Sequence, residues 1–462
     1  MSCNRDPPGP GAHTPAPPSF NVLLIVLDAC RADTLGCYGY ERATSPNLDA
    51  FAQDPDAVIF RRHYVQGSWT KPSTASLFTG EFLHRHGAFM PHKRHGKQAG
   101  EPLFTTQVLP GVSHTMAEYF RGAGFATFGV VKSWHLADDY GFAQGFDTYI
   151  SPKDVRGDAR RVKRFLRLVA ATRAQKFFGY LHLNACHNPF PPDERDAAYM
   201  RKYGFQYDEA ARRAAGINFT TAAVKNAINE GKLQLSAADV RFLHLIYEAK
   251  LRRTGQRLVG PLIEGLRKAG VYDDSLVIIT ADHGEELYDH GGYAHGRALW
   301  EEVIHVPLIV KFPKGHRPRA VARQVDALTS TVDLLPSLME LVGVAFPPSL
   351  PGRPVFTGRF NDYALVEQAG EGASMHKWAL LQGDYKLIET AHSPLLFNLG
   401  KDPGERENLI SREPQRLLAM RTFAHDVLGA GTRPAAAPVV DTALSPEARE
   451  RLRSLGYLDA NR

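Results

Sequence analysis

Thr70 carries the hydroxyl group of this sequence that is best suited to covalent chemistry. It begins the run TKPSTASLFTG, in which small residues follow a Lys-Pro pair and predict the start of a helix. A helix N-terminus stabilises a bound anion or an alkoxide, because its first N–H groups are unpaired and its dipole is positive there. Ser and Thr are also the usual helix N-caps, so Thr70 alone leaves catalysis and capping as alternatives.

Three potential metal ligands follow two predicted buried strands. Asp28 ends the apolar run NVLLIVL, and Asp282 and His283 stand side by side just after LVIIT. Open α/β sheets bind their ligands at the carboxyl ends of the strands, where these side chains are expected. Asp28 taken alone is equally consistent with a helix cap. An adjacent Asp and His at a strand end are poorly explained by core packing and are typical of metal ligation.

Five basic side chains are further candidates for the same edge of the sheet. His187 follows the predicted strand FFGYLHLN, and His295 shares a Gly-rich loop with Arg297. Lys132 and His135 follow the predicted strand FATFGVV. A lone His after a strand is usually structural, and the Lys and His pair is equally consistent with a surface position. Their places after strands make all five candidates for binding or protonating a substrate.

Strand and helix patterns alternate along the chain, which predicts an α/β fold. Continuous apolar runs such as NVLLIVL are typical of parallel strands that are buried on both faces. We therefore expect a mixed, mostly parallel sheet flanked by helices, including a long helix at 237–268. Residues 195–235 are polar and irregular and are predicted to form an insertion or lid that sets specificity. From residue 351 onwards, short segments separated by turns predict a small antiparallel sheet.

The composition is that of an ordinary globular protein: of 462 residues, 44% are hydrophobic and 23% are charged. The formal charge of +6 suits a small anionic substrate. The basic run at 158–175 has helical spacing and is interpreted as a solvated helix face, so no nucleic-acid partner is expected. The sequence has no run of about 18 apolar residues, so no membrane partner is expected. The four scattered cysteines fit a reducing, cytoplasmic location.

Together, the ordered motifs of the chain resemble those of the sulfatase family of the alkaline phosphatase superfamily. The resemblance extends over nearly the whole chain. It rests on NVLLIVLDACRADTLGCYGY, TKPSTASLFTG, HNPF, TADHGEE, AHGRALWEEVIHVPLI, GDYKLI and LFNLGKDPGERENL. It implies an alkaline-phosphatase-like α/β sheet with a small C-terminal antiparallel-sheet subdomain.

Four segments are predicted on this basis. They are a disordered leader at 1–19, a sulfatase-like catalytic domain at 20–350, a C-terminal α+β subdomain at 351–430, and a linker with a terminal helix at 431–462.

The resemblance also implies a role for each candidate residue. The nucleophile would be Thr70. The ligands of one divalent metal ion would be Asp28, Thr70, Asp282 and His283. The side chains that contact the transferred group or protonate the leaving oxygen would be His187 and His295. Substrate-binding residues would be Arg297, Lys132 and His135, although Ser133 disturbs the family's spacing of the Lys and His pair.

These roles imply a metal-dependent hydrolase that cleaves a sulfate or phosphate ester through a covalent Thr70 intermediate. One alternative is a transferase that passes a phospho-group to an acceptor through the same Thr. Another alternative is a non-catalytic binding protein on the same fold. The expected partner is a small anionic ester substrate, and the sequence carries no signal for the oligomeric state.

The chain departs from the formylglycine-dependent sulfatases at four positions. Those enzymes have Cys or Ser where this chain has Thr70, and Arg where it has Thr74. A Thr cannot be oxidised to formylglycine, so the aldehyde chemistry is excluded by this resemblance. Ala29 replaces the second Asp of the paired carboxylates, and His283 replaces an Asn. Because imidazole suits Zn²⁺ and Mn²⁺, these ions are favoured, with Ca²⁺ and Mg²⁺ as alternatives.

Overall fold

The computed structural model describes residues 20–89, 93–98, 101–184, 186–206, 208–369, 376–390, 393–429 and 439–443. The predicted leader at 1–19, residues 431–438 of the predicted linker and the predicted terminal helix at 445–455 lie outside the described residues.

Helices and strands alternate along the described chain. The strands are β1 (Asn21–Leu27), β2 (Ala57–Tyr64), β3 (Lys93–Gln98), β4 (Glu101–Gln107), β5 (Ala126–Val130), β6 (Thr148–Ile150), β7 (Phe177–Leu183), β8 (Ser275–Thr280), β9 (Glu286–Leu287), β10 (Tyr293–Ala294), β11 (His305–Lys311), β12 (Gln324–Ser330), β13 (Tyr363–Ala369), β14 (His376–Gln382), β15 (Tyr385–Glu389), β16 (Leu395–Asn398) and β17 (Val439–Ala443). The α-helices are α1 (Pro46–Ala52), α2 (Thr70–Thr79), α3 (Leu83–His86), α4 (Met116–Gly122), α5 (Asp158–Thr172), α6 (Glu194–Lys202), α7 (Glu209–Ala214), α8 (Ala222–Asn229), α9 (Ala237–Thr254), α10 (Gly260–Lys268), α11 (Glu301–Ile304), α12 (Leu334–Leu341) and α13 (Pro414–Gly429).

Eight strands form the central sheet, in the order β12-β2-β11-β8-β1-β7-β5-β6. Within it, only β11 runs antiparallel to its neighbours, whereas β1 pairs in parallel with both β7 and β8. The predicted mixed, mostly parallel sheet is therefore confirmed. The pairing aligns Leu27 with Leu183 and Val26 with Thr280. The residues that follow these three strands consequently meet at one edge of the sheet.

The side chains of β1 alternate between two layers of the core, as successive strand residues must. Leu23, Ile25 and Leu27 pack with residues of α1, α5, α9 and α10, and Val22, Leu24 and Val26 pack with residues of α2, α4 and α12. Both faces of the sheet are thus covered by helices. Within the described ranges, no helix is both long and apolar enough to cross a membrane.

A second, antiparallel sheet of β13 to β16 packs against α13, as the sequence predicts. A buried ion cluster joins this sheet to the central domain. Lys386 Nζ lies 3.0 Å from Glu301 Oε1 and 2.7 Å from Glu405 Oε1, and the Glu301 N–H donates to Glu405 Oε2 at 2.8 Å. The Lys386 side chain is fully buried. The domain boundaries given above stay predictions.

Replacing Lys386 by Met is expected to destabilise the fold by about 3–5 kcal/mol, because two largely buried carboxylates lose their cation. Chemical denaturation followed by circular dichroism measures this free energy of unfolding. The control is Lys401→Met at an exposed position of the same subdomain, where a change of about 0.5 kcal/mol or less is expected. Equal losses in the two variants would contradict a stabilising ion cluster.

Candidate active site

Thr70 is the first residue of α2, and its side chain is 1% exposed. Trp69 occupies the N-cap position, so Thr70 does not cap this helix. All ten residues of α2 are buried. The Thr70 hydroxyl oxygen lies 3.4 Å from His283 Nε2. The positive end of the helix dipole therefore lies next to a hydroxyl that faces the edge of the central sheet.

Asp28, Asp282 and His283 lie together at this edge of the sheet. His283 Nε2 lies 3.4 Å from Asp28 Oδ1 and 3.7 Å from Asp282 Oδ2. The potential ligand atoms of the three side chains all lie within 4.8 Å of one another, and all three residues are buried. The structure thus brings together the four residues that the sequence predicts to share a metal site, and their role as ligands stays a prediction.

Hydrogen bonding selects the tautomer of His283. Its Nδ1 lies 2.8 Å from the Gly284 carbonyl oxygen, which can only accept, so Nδ1 carries the proton. The lone pair of a neutral imidazole is then on Nε2, the atom that faces Thr70 and Asp28. A ring nitrogen with its partner nitrogen tied to a carbonyl is the usual form of a metal-binding His.

The Asp282 carboxylate is held by its neighbours. Its Oδ1 accepts the backbone N–H groups of His283 and Ala29 at 3.1 and 3.3 Å, and its Oδ2 lies 3.3 Å from His182 Nε2. Burial opposes its ionisation, but His283, His182 and these N–H groups outweigh burial and lower the pKa of Asp282. Ala29 has a left-handed backbone with φ of 60°, and its carbonyl accepts from the Tyr247 hydroxyl at 2.9 Å.

Asp28 has the opposite electrostatic balance. Burial and then repulsion from Asp282 raise the pKa of Asp28 well above its ordinary value, and Lys132 opposes this shift. Asp28 Oδ1 is buried and accepts no hydrogen bond from any described residue. A buried carboxylate oxygen without a donor, next to a second carboxylate and an imidazole lone pair, fits a divalent cation. These residues are therefore able to hold the metal.

Beside this group, His295 and His187 form a second layer of imidazoles. The His295 ring lies 4.1 Å from the His283 ring and 4.6 Å from the His187 ring, centre to centre. His295 Nδ1 lies 2.8 Å from Glu285 Oε1, and His187 Nδ1 bonds the Asn188 carbonyl. Glu285 also accepts two hydrogen bonds at 3.0 Å from the Asn188 backbone and side chain. One carboxylate thus links the loops that carry both imidazoles.

The three predicted substrate-binding residues are placed differently. Lys132 lies close enough to Asp28 to lower its pKa. His135 is 3% exposed and packs edge-on against Trp69, with 5.3 Å between ring centres. Arg297 is exposed at the rim, and its carbonyl accepts from Lys377 Nζ at 3.4 Å. The structure therefore brings Lys132 and His135 to the buried centre and leaves Arg297 outside it.

Four residues that the sequence analysis did not assign belong to this region. Glu285 follows the predicted ligand pair in TADHGEE, and His182 faces Asp282 from β7. Lys71 is fully buried next to Thr70, and burial lowers its pKa to about 7. Burial lowers the pKa of Lys225 to about 8, with Glu285 opposing the shift. Glu285 and Lys71 lie close in sequence to residues that were assigned, and this closeness could have identified them. His182 and Lys225 reach the region only through the packing of distant segments.

A second group with metal-ligand spacing consists of Glu286, His290 and Glu302. His290 Nδ1 lies 2.8 Å from Glu302 Oε1, and its Nε2 lies 3.1 Å from the Gly404 carbonyl oxygen. Because both ring nitrogens face acceptors, this imidazole offers no lone pair in this arrangement. We therefore place the metal only at the first group.

The fold is shared with solved structures of sulfatases and phosphonate monoester hydrolases. The model of the sulfatase family matches residues 20–344, and the chain belongs to that family. A model of the C-terminal region of N-sulphoglucosamine sulphohydrolase matches residues 289–422. The family generally uses a divalent metal ion, which agrees with the ligand groups described above.

Individual relatives and structures agree with this assignment. The uncharacterized sulfatase YidJ of Escherichia coli (strain K12) is 25% identical over 466 residues, which cover 88% of this chain and 86% of the relative. N-acetylgalactosamine-6-sulfatase of Canis lupus familiaris is 25% identical, covering 86% and 82%. The crystal structure of phosphonate monoester hydrolase of Agrobacterium radiobacter has the same fold, with a TM-score of 0.66, 20% identity, and coverage of 92% and 97%.

The purified protein is expected to contain one divalent cation per chain. Asp282→Ala is expected to lower this content strongly, because it removes a buried carboxylate ligand. Inductively coupled plasma mass spectrometry measures the metal and identifies it. Glu286→Gln is the matched control, since it alters the other carboxylate and imidazole group, and it should leave the content unchanged. Loss of metal in the control and not in Asp282→Ala would contradict the assignment.

Proposed function

We propose that this chain is a metal-dependent hydrolase that cleaves a sulfate or phosphate ester through a covalent ester of Thr70. The observation that carries the proposal is the approach of the Thr70 hydroxyl oxygen to His283 Nε2, at 3.4 Å, within a buried group that includes Asp28 and Asp282. A hydroxyl is a weak nucleophile on its own, and coordination to a metal ion held by these neighbours would activate it.

The proposed metal ligands are Asp28, Thr70, Asp282 and His283. A divalent cation held there supplies Lewis acidity, which makes the hydroxyl more acidic and neutralises charge on the ester. Zn²⁺ or Mn²⁺ is favoured because one proposed ligand is an imidazole nitrogen, with Ca²⁺ and Mg²⁺ as alternatives.

In the proposed reaction, Thr70 Oγ1 forms a bond to the sulfur or phosphorus as the bond to the leaving alcohol oxygen breaks. The positive end of the α2 dipole favours the developing charge on Thr70. His295 or His187 accepts the Thr70 proton at Nε2, and the imidazolium so formed gives a proton to the leaving oxygen. Water then attacks the Thr70 ester, releases sulfate or phosphate, and restores the hydroxyl.

The hydrogen bonds of the two imidazoles support this use. His295 is oriented through Nδ1 by Glu285, and His187 is oriented through Nδ1 by the Asn188 carbonyl. In a neutral ring whose Nδ1 carries the proton, Nε2 is the atom that exchanges protons. Burial and neighbouring imidazoles lower the pKa of both residues, which keeps them neutral and able to accept a proton.

The nucleophile is proposed to be unmodified Thr70. Formylglycine formation, as implied by the family resemblance, requires Cys or Ser at this position, and this chain has Thr. Peptide mass spectrometry of the purified protein should therefore show an unmodified Thr70 residue mass.

Replacing Thr70 by Ala is expected to abolish turnover and the covalent adduct, since the nucleophilic oxygen is absent. Thr70→Ser keeps the oxygen and should retain turnover and adduct. The assay is a screen of aryl sulfate, phosphate monoester, phosphodiester and phosphonate ester substrates, with the adduct trapped by rapid acid quench and detected by mass spectrometry.

Thr79→Ala is the control for packing, because Thr79 is a buried hydroxyl of the same helix that donates to the Ala75 carbonyl. It should keep the adduct. Normal turnover in Thr70→Ala would sink the covalent scheme, whatever substrate is used.

Replacing the leaving-group acid should matter most for poor leaving groups. His295→Gln and His187→Gln are each assayed on a 4-nitrophenyl ester and on the matching alkyl ester. For the residue that is the acid, we expect a loss of about 10²- to 10⁴-fold on the alkyl ester and a much smaller loss on the 4-nitrophenyl ester. His316→Gln, at an exposed position, is the control. Equal losses on both esters in both variants would show that neither imidazole is the acid.

A further inference from the structure

Two adjoining cavities lie on one side of His187. The first, of about 350 Å³, is lined by Asn184 and His187 at one end and by Arg253 and Arg257 at the other. The second, of about 260 Å³, shares Arg253 and Arg257 with the first and extends along α6. The two cavities therefore adjoin at these two arginines, and the first also reaches the proposed catalytic His187. We call the two cavities together the α6 cleft.

The second cavity of the α6 cleft has more basic than acidic residues. Its basic residues are Arg195, Lys202, Arg252, Arg253 and Arg257, and its one acidic residue is Asp196. Asp196 is already neutralised, because Lys250 Nζ lies 2.6 Å and Arg253 Nη1 lies 3.3 Å from its carboxylate oxygens. Arg253 also pairs with Asp193.

Four of these cations form no ion pair with any described carboxylate. Arg252 is half-buried and donates to the Ala43 carbonyl, and the remaining three, Arg195, Lys202 and Arg257, are exposed. They come from two elements, since Arg195 and Lys202 lie on α6 and Arg257 lies on the helix that crosses it. Cations that face one cleft from two helices repel one another, and an anion between them relieves this repulsion.

The backbone that carries Arg257 is irregular in a way that points to function. Between α9 and α10 the helix forms a π-helical turn at Gly255–Val259, a feature that is rare and is frequent at functional sites. The turn packs against Asn47, and a Cβ on Gly260 would lie 2.7 Å from Asn47 Nδ2. A side chain at Gly260 would therefore require the Asn47 side chain to shift, so glycine allows this close approach.

We propose that the α6 cleft binds a second anionic group on the leaving part of the substrate. The substrate class is then a polyanionic ester that carries at least two sulfate or phosphate groups. This inference rests on the proposed function, because it places the scissile group beside His187 and the second group beyond it. Guanidinium groups suit this task, since their paired N–H donors match the oxygens of sulfate and phosphate.

Direct binding tests the cleft without turnover. Isothermal titration calorimetry is done on the full chain with sucrose octasulfate and, separately, with inositol hexakisphosphate, both also in the Thr70→Ala background. The triple variant R195A/K202A/R257A is expected to weaken binding of at least one probe about tenfold or more, as charge-assisted contacts are lost. The probe that loses more affinity identifies sulfate or phosphate as the preferred group.

The matched control is R121A/R319A/K401A, which removes three exposed cations elsewhere and gives the same net charge. It should bind both probes as the unaltered chain does. Unchanged binding in the cleft variant overturns the proposal, and so does an equal loss in the control variant, which would indicate a general charge effect.

Kinetics provide a second readout. A singly charged aryl ester is compared with the same ester bearing a second sulfate or phosphate. In the cleft variant, the ratio of kcat/KM for the doubly charged to the singly charged ester should fall about tenfold, mainly through KM. Arg257→Lys in the otherwise unaltered chain should lower the ratio less, since it keeps the charge and loses the paired donors. An unchanged ratio overturns the proposal. If the proposed Thr70 mechanism is wrong, Thr70→Ala would still turn over substrate. The binding experiment does not depend on turnover, so it would still test the cleft.

Discussion

Two carboxylates, Asp28 and Asp282, are buried against each other at the carboxyl edge of the central sheet, and their repulsion is the constraint on which the site depends. Burial and Asp282 together raise the pKa of Asp28. The apolar strands β1 and β8 keep both groups away from water. Backbone N–H groups, His182 and His283 stabilise the charge of Asp282, whereas Oδ1 of Asp28 has no hydrogen-bond donor among the described residues. A divalent cation would compensate the charge of both carboxylates, which agrees with the family's general use of such an ion.

The parts of the fold that follow from local pattern were predictable from the sequence. Continuous apolar strands required helices on both faces, and parallel pairing then had to bring Asp28, Asp282 and His283 to one edge. The position of Arg297 could not be predicted in this way, because it lies on a loop. Its neighbour His295 reaches the site, but Arg297 itself lies at the exposed rim. The role of Glu285 could not be predicted either, because its hydrogen bonds to His295 and Asn188 join two loops through space. The cytoplasmic location stays a prediction.

The polar region at 195–235 was the least predictable. Without an apolar period it was expected to be irregular, yet most of it forms the three short helices α6, α7 and α8. Their starts are fixed by local hydrogen bonds instead, with Asp193 accepting from N–H groups at the start of α6 and Thr221 at the start of α8. The amphipathic signal is weak in helices of this length, but the capping residues are readable. The π-helical turn at 255–259 has no comparable local signal.

The backbone conformation at Ala29 is one that suits residues other than Ala. A left-handed backbone costs an ordinary residue on the order of 1 kcal/mol, and Gly, Asn and Asp tolerate it better than Ala. By the resemblance to calcium-dependent sulfatases, an Asp would occupy this position as the second of two paired carboxylates. The turn at φ of 60° is still held, by Asp282 through the Ala29 N–H and by Tyr247 through its carbonyl. An Asp introduced at this position would therefore enter a backbone conformation that it tolerates better than Ala does.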